Sequence, residues 1–389
     1  MFIPLFHEPH NDHNILFTDN KLTAASLVKI IETLTSGDIN TEFQMIFTLT
    51  FYSFITPAHL FDLLLARFQT QKPPGYSSTE WEAKRNIIQI RTFNFIKRWG
   101  HLSPYDFGDP HIVKGMQQLL SLCNKPHVQS LHKFLTSWWR TKFKEKNTDF
   151  SSRFDLINTP APILPKCEQV TDITQVSVEE LARQLCLIYS ELNRAIRVRE
   201  FFDRRTSLTG SLEDNSPNLI AFLKQSKKTT EWVIAEILAV KNPSTMVVYF
   251  IDLASYLKKY NNFQCFYDVI NGLCHPSVAS CWDFCSPELR SVFKQHQELL
   301  SPDRSYKAYR TYLQQRNLPM VTIIQIVLID LHFVDEGNPN EVGNGLINWQ
   351  KREIIANVLR EFMHYQPLPH QFRKVEVVKD YLHKHQPFL

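Results

Sequence analysis

Residues 328–339, Leu328-Ile-Asp-Leu-His-Phe-Val-Asp-Glu-Gly-Asn-Pro339, decide how this chain is interpreted. The stretch is typical of an apolar helix that ends in two carboxylates and is then broken at Gly337 and Pro339. A second amphipathic helix opens near Leu346-Ile-Asn-Trp-Gln-Lys-Arg352. The two segments together predict a helical hairpin with acidic side chains at the end of its first helix.

Composition indicates a folded and largely helical protein. The 389 residues include 43% hydrophobic side chains and 28 Phe, but only 10 Gly. Apolar residues recur at intervals of three and four, and strand-type alternation is almost absent, so the expected fold is all-α. The net charge of +4, from 43 basic and 39 acidic residues, is too small to argue for binding to nucleic acid.

Targeting and redox signals favour a cytoplasmic protein. The first residues do not form a secretion signal, because Pro4, Glu8, Pro9 and Asp12 interrupt them. The longest apolar run, residues 318–334, contains polar residues and a proline, so it indicates a buried helix rather than a membrane span. Seven Cys at irregular spacing predict reduced thiols. The abundance of Asn, Gln, Lys and Phe leaves open a microbial protein delivered into a host cytosol.

The distribution of helix and loop signals predicts two helical domains. A tail at residues 1–14 precedes the first domain, at residues 15–150, which ends in a helical extension. Residues 151–174 are rich in Pro, Ser and Thr and are expected to form a linker. Residues 175–389 form the larger second domain, which opens with a long amphipathic helix.

Two regions resemble the Ras-family guanine-nucleotide exchange factors, over roughly residues 20–110 and 175–370. The hairpin stretch is close to the family wording L-T-D-L-x-F-x-E-E-G-N-P, followed by L-I-N-F-x-K-R. Strings in the first domain resemble the Ras exchanger motif that precedes the catalytic domain in this family: Phe51-Tyr-Ser-Phe-Ile-Thr-Pro57, Leu63-Leu-Leu-Ala-Arg-Phe68, Arg91-Thr-Phe-Asn-Phe-Ile-Lys-Arg-Trp99 and Asp106-Phe107. The resemblance implies a Ras exchanger motif at residues 15–150 and a RasGEF catalytic domain with a protruding helical hairpin at residues 175–389.

The same resemblance implies a function, which is guanine-nucleotide exchange on a small GTPase of the Ras, Rap or Ral type. A small GTPase holds the nucleotide phosphates with backbone N–H groups, a lysine and Mg²⁺. An exchange factor releases the nucleotide by inserting its hairpin next to that site, where it obstructs or replaces these contacts. This activity needs no covalent catalysis and no cofactor.

Four hairpin residues are the candidates for promoting exchange. In the family, the second carboxylate of the E-E-G-N-P string enters the phosphate and Mg²⁺ region, and this position is Glu336. Asp335 is the adjacent carboxylate. His332 lies one helical turn before Glu336 on the same side, where an imidazole is a pH-sensitive obstruction. Asn338 is expected to fix the turn by a hydrogen bond from its side chain to the backbone.

A second group of residues is implied to bind the GTPase: Lys224, Cys274, Asn262, Ile323, Ile329 and Asp330. Packing is the competing interpretation of Ile323 and Ile329. Lys224 replaces a family Arg and loses its planar fork, and Cys274 replaces a family Asn and loses the amide. These two departures keep an alternative open, which is a catalytically weak GTPase-binding scaffold that retains the fold.

Other kinds of site have weaker support. Five residues could offer zinc ligands, but no C-x₂₋₄-C pair among them is followed by a second one, so no metal site is expected: Cys265, Cys274, His275, Cys281 and Cys285. Aromatic and basic residues alternate in Trp138-Trp-Arg-Thr-Lys-Phe-Lys-Glu-Lys146, and residues 224–228 contain a cluster of basic side chains. Both stretches leave open a peripheral association with membranes. No obligate oligomer is predicted.

Overall fold

The computed structural model describes residues 6–37, 40–123, 159–202 and 215–385, together with residues 133, 136 and 137. Its contacts divide the chain into two compact units, which we describe separately. Unit 1 comprises Met1–Asp149 and Ile329–Arg360, and unit 2 comprises Phe150–Leu328 and Glu361–Leu389. The predicted tail, helical extension and linker lie partly outside the described residues.

Helices make up most of the described chain, which confirms the all-α prediction. The regular elements in chain order are β1 Ile15–Thr18, β2 Lys21–Ala25, α1 Leu27–Leu34, α2 Thr41–Thr50, α3 Pro57–Phe68, α4 Ser78–Leu102, α5 Pro110–Leu122, α6 Val178–Ala195, α7 Pro217–Ala239, α8 Pro243–Lys259, α9 Phe263–Leu273, α10 Pro287–Leu299, α11 Asp303–Gln314, α12 Ile324–Gly337, β3 Glu341–Val342, β4 Leu346–Asn348, α13 Trp349–Tyr365 and α14 Glu376–His385. Short 3₁₀ turns connect several of them: Phe51–Ser53, Pro104–Gly108, Ile173–Gln175, Val198–Phe201 and Pro276–Phe284.

Local sequence determines where the helices of unit 1 begin. The hydroxyl of Ser77 accepts a hydrogen bond from the backbone N–H of Glu80, and the Glu80 carboxylate accepts one from the backbone N–H of Ser77. This reciprocal pair satisfies two of the N–H groups that a helix start leaves without an intrahelical partner. Asp109 caps α5 in a similar way, and Pro110 occupies the first position, where a missing N–H costs nothing.

A four-stranded antiparallel sheet in unit 1 is the element that the sequence did not predict. The strand order is β1-β2-β4-β3, so the N-terminal strand pair joins the strand that enters α13. Ala24 pairs with Asn348, and Ala25 pairs with Ile347. The strands contain only two to five residues each. An alternating pattern cannot be recognised over so short a length, so only the tertiary contacts reveal the sheet.

The core of unit 1 brings together residues that carry the Ras exchanger motif resemblance. The indole of Trp99, which is fully buried, donates a hydrogen bond from Nε1 to Oδ2 of Asp106 at 2.7 Å. The hydroxyl of Tyr52 donates to the same oxygen, and burial raises the pKa of this tyrosine. The ring of Phe107 meets the Trp99 ring edge to face at 4.9 Å. A buried carboxylate is costly unless it is hydrogen-bonded, and these donors meet that requirement.

A close helix crossing organises the core of unit 2. A Cβ placed on Gly272 of α9 would lie 2.7 Å from Cγ1 of Val233 in α7. That distance is shorter than any ordinary contact between carbon atoms, so the two helices can approach this closely only with glycine at this position.

A buried histidine attaches the segment before α14 to this core. His370 is 4% exposed, and its Nδ1 lies 2.7 Å from Oγ of Ser190 in α6. Its Nε2 contacts the backbone oxygen of Tyr260, so Nε2 carries the proton and Nδ1 accepts from the serine. Burial lowers the pKa of His370 from the ordinary 6.5 to about 4.

We expect acid to destabilise unit 2 through this residue. The folded state disfavours protonated His370, so its contribution to stability is present above pH 6.5 and is lost as the pH falls towards 4. The loss should be roughly 3 kcal/mol. Urea unfolding at pH 7 and pH 4.5 would measure it. His370→Gln should lose less stability between the two pH values than the unchanged protein does.

The exposed His364 provides a matched control, since His364→Gln should leave the pH dependence unchanged. His296 also has its pKa lowered to about 4 by burial, so His370→Gln should reduce the acid sensitivity without abolishing it. An identical loss of stability in the unchanged protein and in His370→Gln would contradict the assignment.

Candidate functional site

The predicted hairpin is present, and its turn is built from a short strand pair. Helix α12 ends at Gly337, the first of the two predicted breaks, and α13 begins at Trp349. Strands β3 and β4 lie between them. Gly343 and Gly345 take the connecting turn with φ of +54° and +79°. Glycine has no Cβ to clash there, so these two positions suit the backbone that the turn requires.

Glu336 and His332 lie on the outside of α12. Both side chains are exposed, and they are one helical turn apart. Glu336 forms no hydrogen bond or ion pair with any part of the chain that the structure describes. The neighbouring Phe333 is 67% exposed, and its ring centroid is 6.1 Å from that of His332. This face of the helix therefore presents a carboxylate, an imidazole and a phenyl ring to solvent.

Asp335 points to a different side of α12 and forms an ion pair that is largely shielded from solvent. Its Oδ1 lies 3.1 Å from Nζ of Lys351 in α13, and the two side chains are 11% and 1% exposed. Successive helical residues are about 100° apart around the axis, which explains how adjacent carboxylates reach such different surroundings. The structure thus gives Asp335 an internal contact in the hairpin, whereas Glu336 faces outward.

Lys351 also holds the backbone of the turn between α12 and β3. Its Nζ donates to the backbone oxygen of Asn338 at 2.6 Å and lies 3.4 Å from that of Asp335. The side-chain amide of Asn338 donates to the backbone oxygen of Val334 at 2.9 Å, as the sequence led us to expect. These bonds satisfy carbonyl groups that the end of a helix leaves without partners.

Asn348 and Trp349 fix the start of α13. The Asn348 side chain donates from Nδ2 to the backbone oxygen of Pro339 at 3.0 Å, and its Oδ1 accepts from the backbone N–H of Lys351 at 3.2 Å. Trp349 is 1% exposed and stacks on Phe43 of α2, with ring centroids 4.3 Å apart and planes at 18°. Hydrogen bonds, stacking and the sheet together anchor the hairpin within unit 1.

Sequence reasoning overlooked three of the anchoring residues, namely Asn348, Lys351 and Arg352. Arg352 is also buried, with its guanidinium 5.5 Å from the ring centroid of Phe54 and within 3.4 Å of the backbone oxygen of Asn340. The available signal was two adjacent basic residues after an apolar strand. That pattern alone is as typical of a solvated helix face.

Two of the predicted GTPase contacts need correction, and both are in unit 2. Asn262 is fully buried, and its side chain accepts from the backbone N–H of Cys265 at 3.2 Å to cap α9. Ile323 is 1% exposed. Because neither residue has surface to offer a partner, capping and packing explain them, in place of the GTPase contacts expected from the sequence.

The other predicted contacts retain accessible surface. Lys224 is exposed on α7, and Cys274 is exposed at the end of α9. The Sγ of Cys274 lies 3.3 Å from Nε2 of Gln297, and partial burial raises the pKa of the thiol. Ile329 and Asp330 are half-buried on α12.

The part of the chain that the structure describes contains neither a candidate metal site nor a candidate membrane span. No group of three or more His, Cys, Asp or Glu there could hold a metal ion. The cysteines proposed as alternative zinc ligands are free thiols, of which Cys265, Cys281 and Cys285 are buried. None of the helices in that part of the chain has both the length and the hydropathy to cross a membrane. The basic aromatic stretch at residues 138–146 lies outside it.

Comparisons with known proteins match both halves of the chain. A family model described as the RasGEF domain matches residues 180–353, and one described as the RasGEF N-terminal motif matches residues 21–122. Ras guanine nucleotide exchange factor J of Dictyostelium discoideum is 29% identical over 385 residues, which is 95% of this chain and 47% of that protein. Factor P of the same organism is 28% identical, over 97% of this chain and 26% of its own length. Factor A is 29% identical, over 94% of this chain and 61% of its own.

Proposed function

Since the chain belongs to the RasGEF family, we propose that it promotes the release of guanine nucleotide from a Ras-like small GTPase. The chain spans less than half the length of factors J and P, so the activity is proposed for the segment described here. The observation that carries the proposal is the exposed Glu336, held outward on a hairpin in which Asp335 and Lys351 form an internal ion pair.

The chemistry of release follows from competition between two anions. A carboxylate brought next to the nucleotide phosphates disfavours them, and it competes for the backbone N–H groups and lysine that bind them. Exchange factor and nucleotide then weaken each other's binding to the GTPase. An acceleration of about 10⁴-fold needs the barrier lowered by roughly 5.5 kcal/mol, which must come from the binding energy of the exchange factor.

The anchoring of the hairpin supports this use of binding energy. If the hairpin were flexible, part of the binding energy would be used to order the hairpin itself. A hairpin that is already ordered leaves this energy available to displace a switch loop of the GTPase. Lys351 fixes the turn, Trp349 is stacked on Phe43, and β4 is paired in the sheet. We therefore assign Asp335 and Asn338 to holding the hairpin, and Glu336 and His332 to contacting the GTPase near the nucleotide.

A GTPase-binding scaffold with weak exchange activity is the second candidate. Lys224 and Cys274 favour it, since each lacks the hydrogen-bonding groups that the family residue would offer. The exposed Glu336 favours exchange activity, because a pure scaffold has no need of an outward carboxylate next to a helix break.

The test is the release of fluorescent GDP from purified Ras, Rap and Ral GTPases with and without this protein. We expect one GTPase to release nucleotide about 10²- to 10⁴-fold faster. Such an acceleration corresponds to lowering the barrier to release by about 3 to 5.5 kcal/mol. Binding without acceleration would favour the scaffold. The absence of both binding and acceleration across the panel would contradict both candidates.

The location of the protein in the cell is a separate part of the proposal. We propose that the protein acts in the cytoplasm, in keeping with seven free thiols. The stretch at residues 138–146, with its alternating aromatic and basic residues, is the reason to propose peripheral membrane association. The names of factors J, P and A give no support to the interpretation as a protein delivered into a host.

A further inference from the structure

A carboxylate buried in unit 2 lies at the centre of a hydrogen-bonded cluster. Asp268 of α9 is 1% exposed. Its Oδ2 accepts from the hydroxyl of Tyr189 in α6 at 2.6 Å. Its Oδ1 accepts from Oγ of Ser226 in α7 at 2.7 Å and from Nε2 of Gln264, one turn earlier in α9, at 2.9 Å. The acid is therefore bound by three neutral donors from three helices.

Two of these donors also hold the first turn of α12. The side-chain oxygen of Gln264 accepts from the backbone N–H of Ile324 at 2.8 Å, and Nε2 of Gln325 donates to Oγ of Ser226 at 3.1 Å. The first N–H groups of a helix have no intrahelical partner, so Gln264 acts as a cap supplied by another helix. Asp268 is therefore connected to the start of α12 through one intervening side chain, either Ser226 or Gln264.

We propose that Asp268 is a positioning residue for nucleotide exchange, because it orients Ser226 and Gln264 against the first turn of the helix that carries Glu336. The inference rests on the proposed function. It adds a residue that never meets the GTPase and acts through the attachment of the hairpin helix.

The ionised and protonated forms of Asp268 hold this cluster differently. A carboxylate accepts from all three donors at once, so the Ser226 hydroxyl points at Asp268 and leaves its lone pairs for Gln325. A protonated acid must itself donate, and one of the three donors must then give up its bond. Hydrogen bonds to a charged group are also roughly twice as strong as neutral ones. The ionised form should therefore hold the start of α12 more firmly.

Both forms are accessible near neutrality, because burial raises the pKa of Asp268 to about 7. The titratable groups that face it are Tyr189 and, on its own helix, Cys265. Ser226 and Thr229 of α7 and Gln325 of α12 are neutral, and the buried side chains of α8 are apolar. No Lys, Arg or His of the described chain pairs with the acid, so its own protonation decides the charge of the cluster.

The decisive variant is Asp268→Asn, which fixes the neutral form at nearly constant size. Its amide oxygen can accept from Ser226 and Gln264 while its NH₂ group faces the hydroxyl of Tyr189, so the fold should persist. On the GTPase that responds in the release assay, the unchanged protein should be about fivefold faster than Asp268→Asn at pH 8. The two should be equal at pH 6. Taking the ratio cancels any effect of pH on the GTPase itself.

Two companion variants sharpen this test. Ser226→Ala removes the hydrogen bonds that join Asp268 to Gln325 but leaves the acid and the bond from Gln264 to Ile324 in place, so it should lose part of the pH-dependent gain. Asp380→Asn removes an exposed acid of α14 and should behave as the unchanged protein does. A constant ratio of unchanged protein to Asp268→Asn from pH 6 to pH 8 would overturn the proposal.

Hydrogen exchange at Ile324 provides a readout that needs no GTPase. Its amide bonds directly to Gln264, so at pH 8 it should exchange about fivefold faster in Asp268→Asn than in the unchanged protein, and equally fast at pH 6. Equal protection at both pH values would refute the role of Asp268. Failure of the unchanged protein to release nucleotide from any GTPase would instead refute the proposed function.

Discussion

Glu336→Gln should slow nucleotide release by about 100-fold, which corresponds to a loss of roughly 2.7 kcal/mol at the transition state. The substitution keeps the size of the side chain and removes only the charge. Since Glu336 is exposed and has no partner within the described residues, the free energy of unfolding should change by less than about 0.5 kcal/mol. A large loss of rate without a loss of stability is the expected signature of a carboxylate that acts on the nucleotide site.

Release of fluorescent GDP and affinity for the nucleotide-free GTPase should be measured on the same samples. The rate should fall further than the affinity, because the carboxylate opposes the phosphates rather than holding the complex together. Glu341→Gln, an exposed acid in β3 of the same hairpin, is the matched control and should leave both quantities unchanged. If rate and affinity fall by the same factor, Glu336 is a binding residue and the mechanism proposed for it is wrong.

Lys351→Met should destabilise unit 1 by about 3 to 5 kcal/mol. The substitution removes the cation that lies 3.1 Å from the largely shielded Asp335 carboxylate, and it removes the donor to the backbone oxygen of Asn338. Removing one partner of a largely buried ion pair is among the most costly single changes in folded proteins. Thermal or urea unfolding would measure the effect. Exchange activity should fall as well, although Glu336 is untouched.

A second substitution separates the ion pair from the volume of the lysine. Asp335→Asn combined with Lys351→Met removes both charges and should recover part of the lost stability, since the ion pair is then removed as a whole and not broken on one side. Lys379→Met is the control, because Lys379 and Glu376 form an exposed pair at 3.5 Å, with side chains 45% and 68% exposed. That change should cost less than about 0.5 kcal/mol. A similar cost for the two lysines would contradict the importance of burial.

The helices and the hairpin could be predicted because both depend on residues that are close together in the sequence. The apolar spacing of three and four, the two carboxylates and the break at Gly337 are all contained in one short stretch. The role expected of Glu336 came from the family resemblance of the same stretch and not from its local pattern. The inward turn of Asp335 could not be predicted, because its partner Lys351 lies beyond two strands and a turn.

Burial explains where residue roles were misassigned. Asn262 was expected at the GTPase surface from its place in a family phrase, yet it caps α9 inside the core. Caps and surface contacts use the same amide group, and a sequence does not show which side of the chain faces water. Asp268 escaped notice for a related reason, since an acid in a helix is usually solvated and only the fold reveals three donors around it.

The pairing of β2 with β4 has a consequence for how the chain can be divided. A fragment limited to residues 175–389 would keep Leu346–Asn348 but lack Lys21–Ala25, so the backbone groups of Ala24 and Ala25 would no longer cover Asn348 and Ile347. An uncovered strand edge with apolar neighbours is a template for self-association. Such a fragment should aggregate through the segment that leads into α13. In practical work the hairpin and the N-terminal strands therefore need to be produced as one polypeptide.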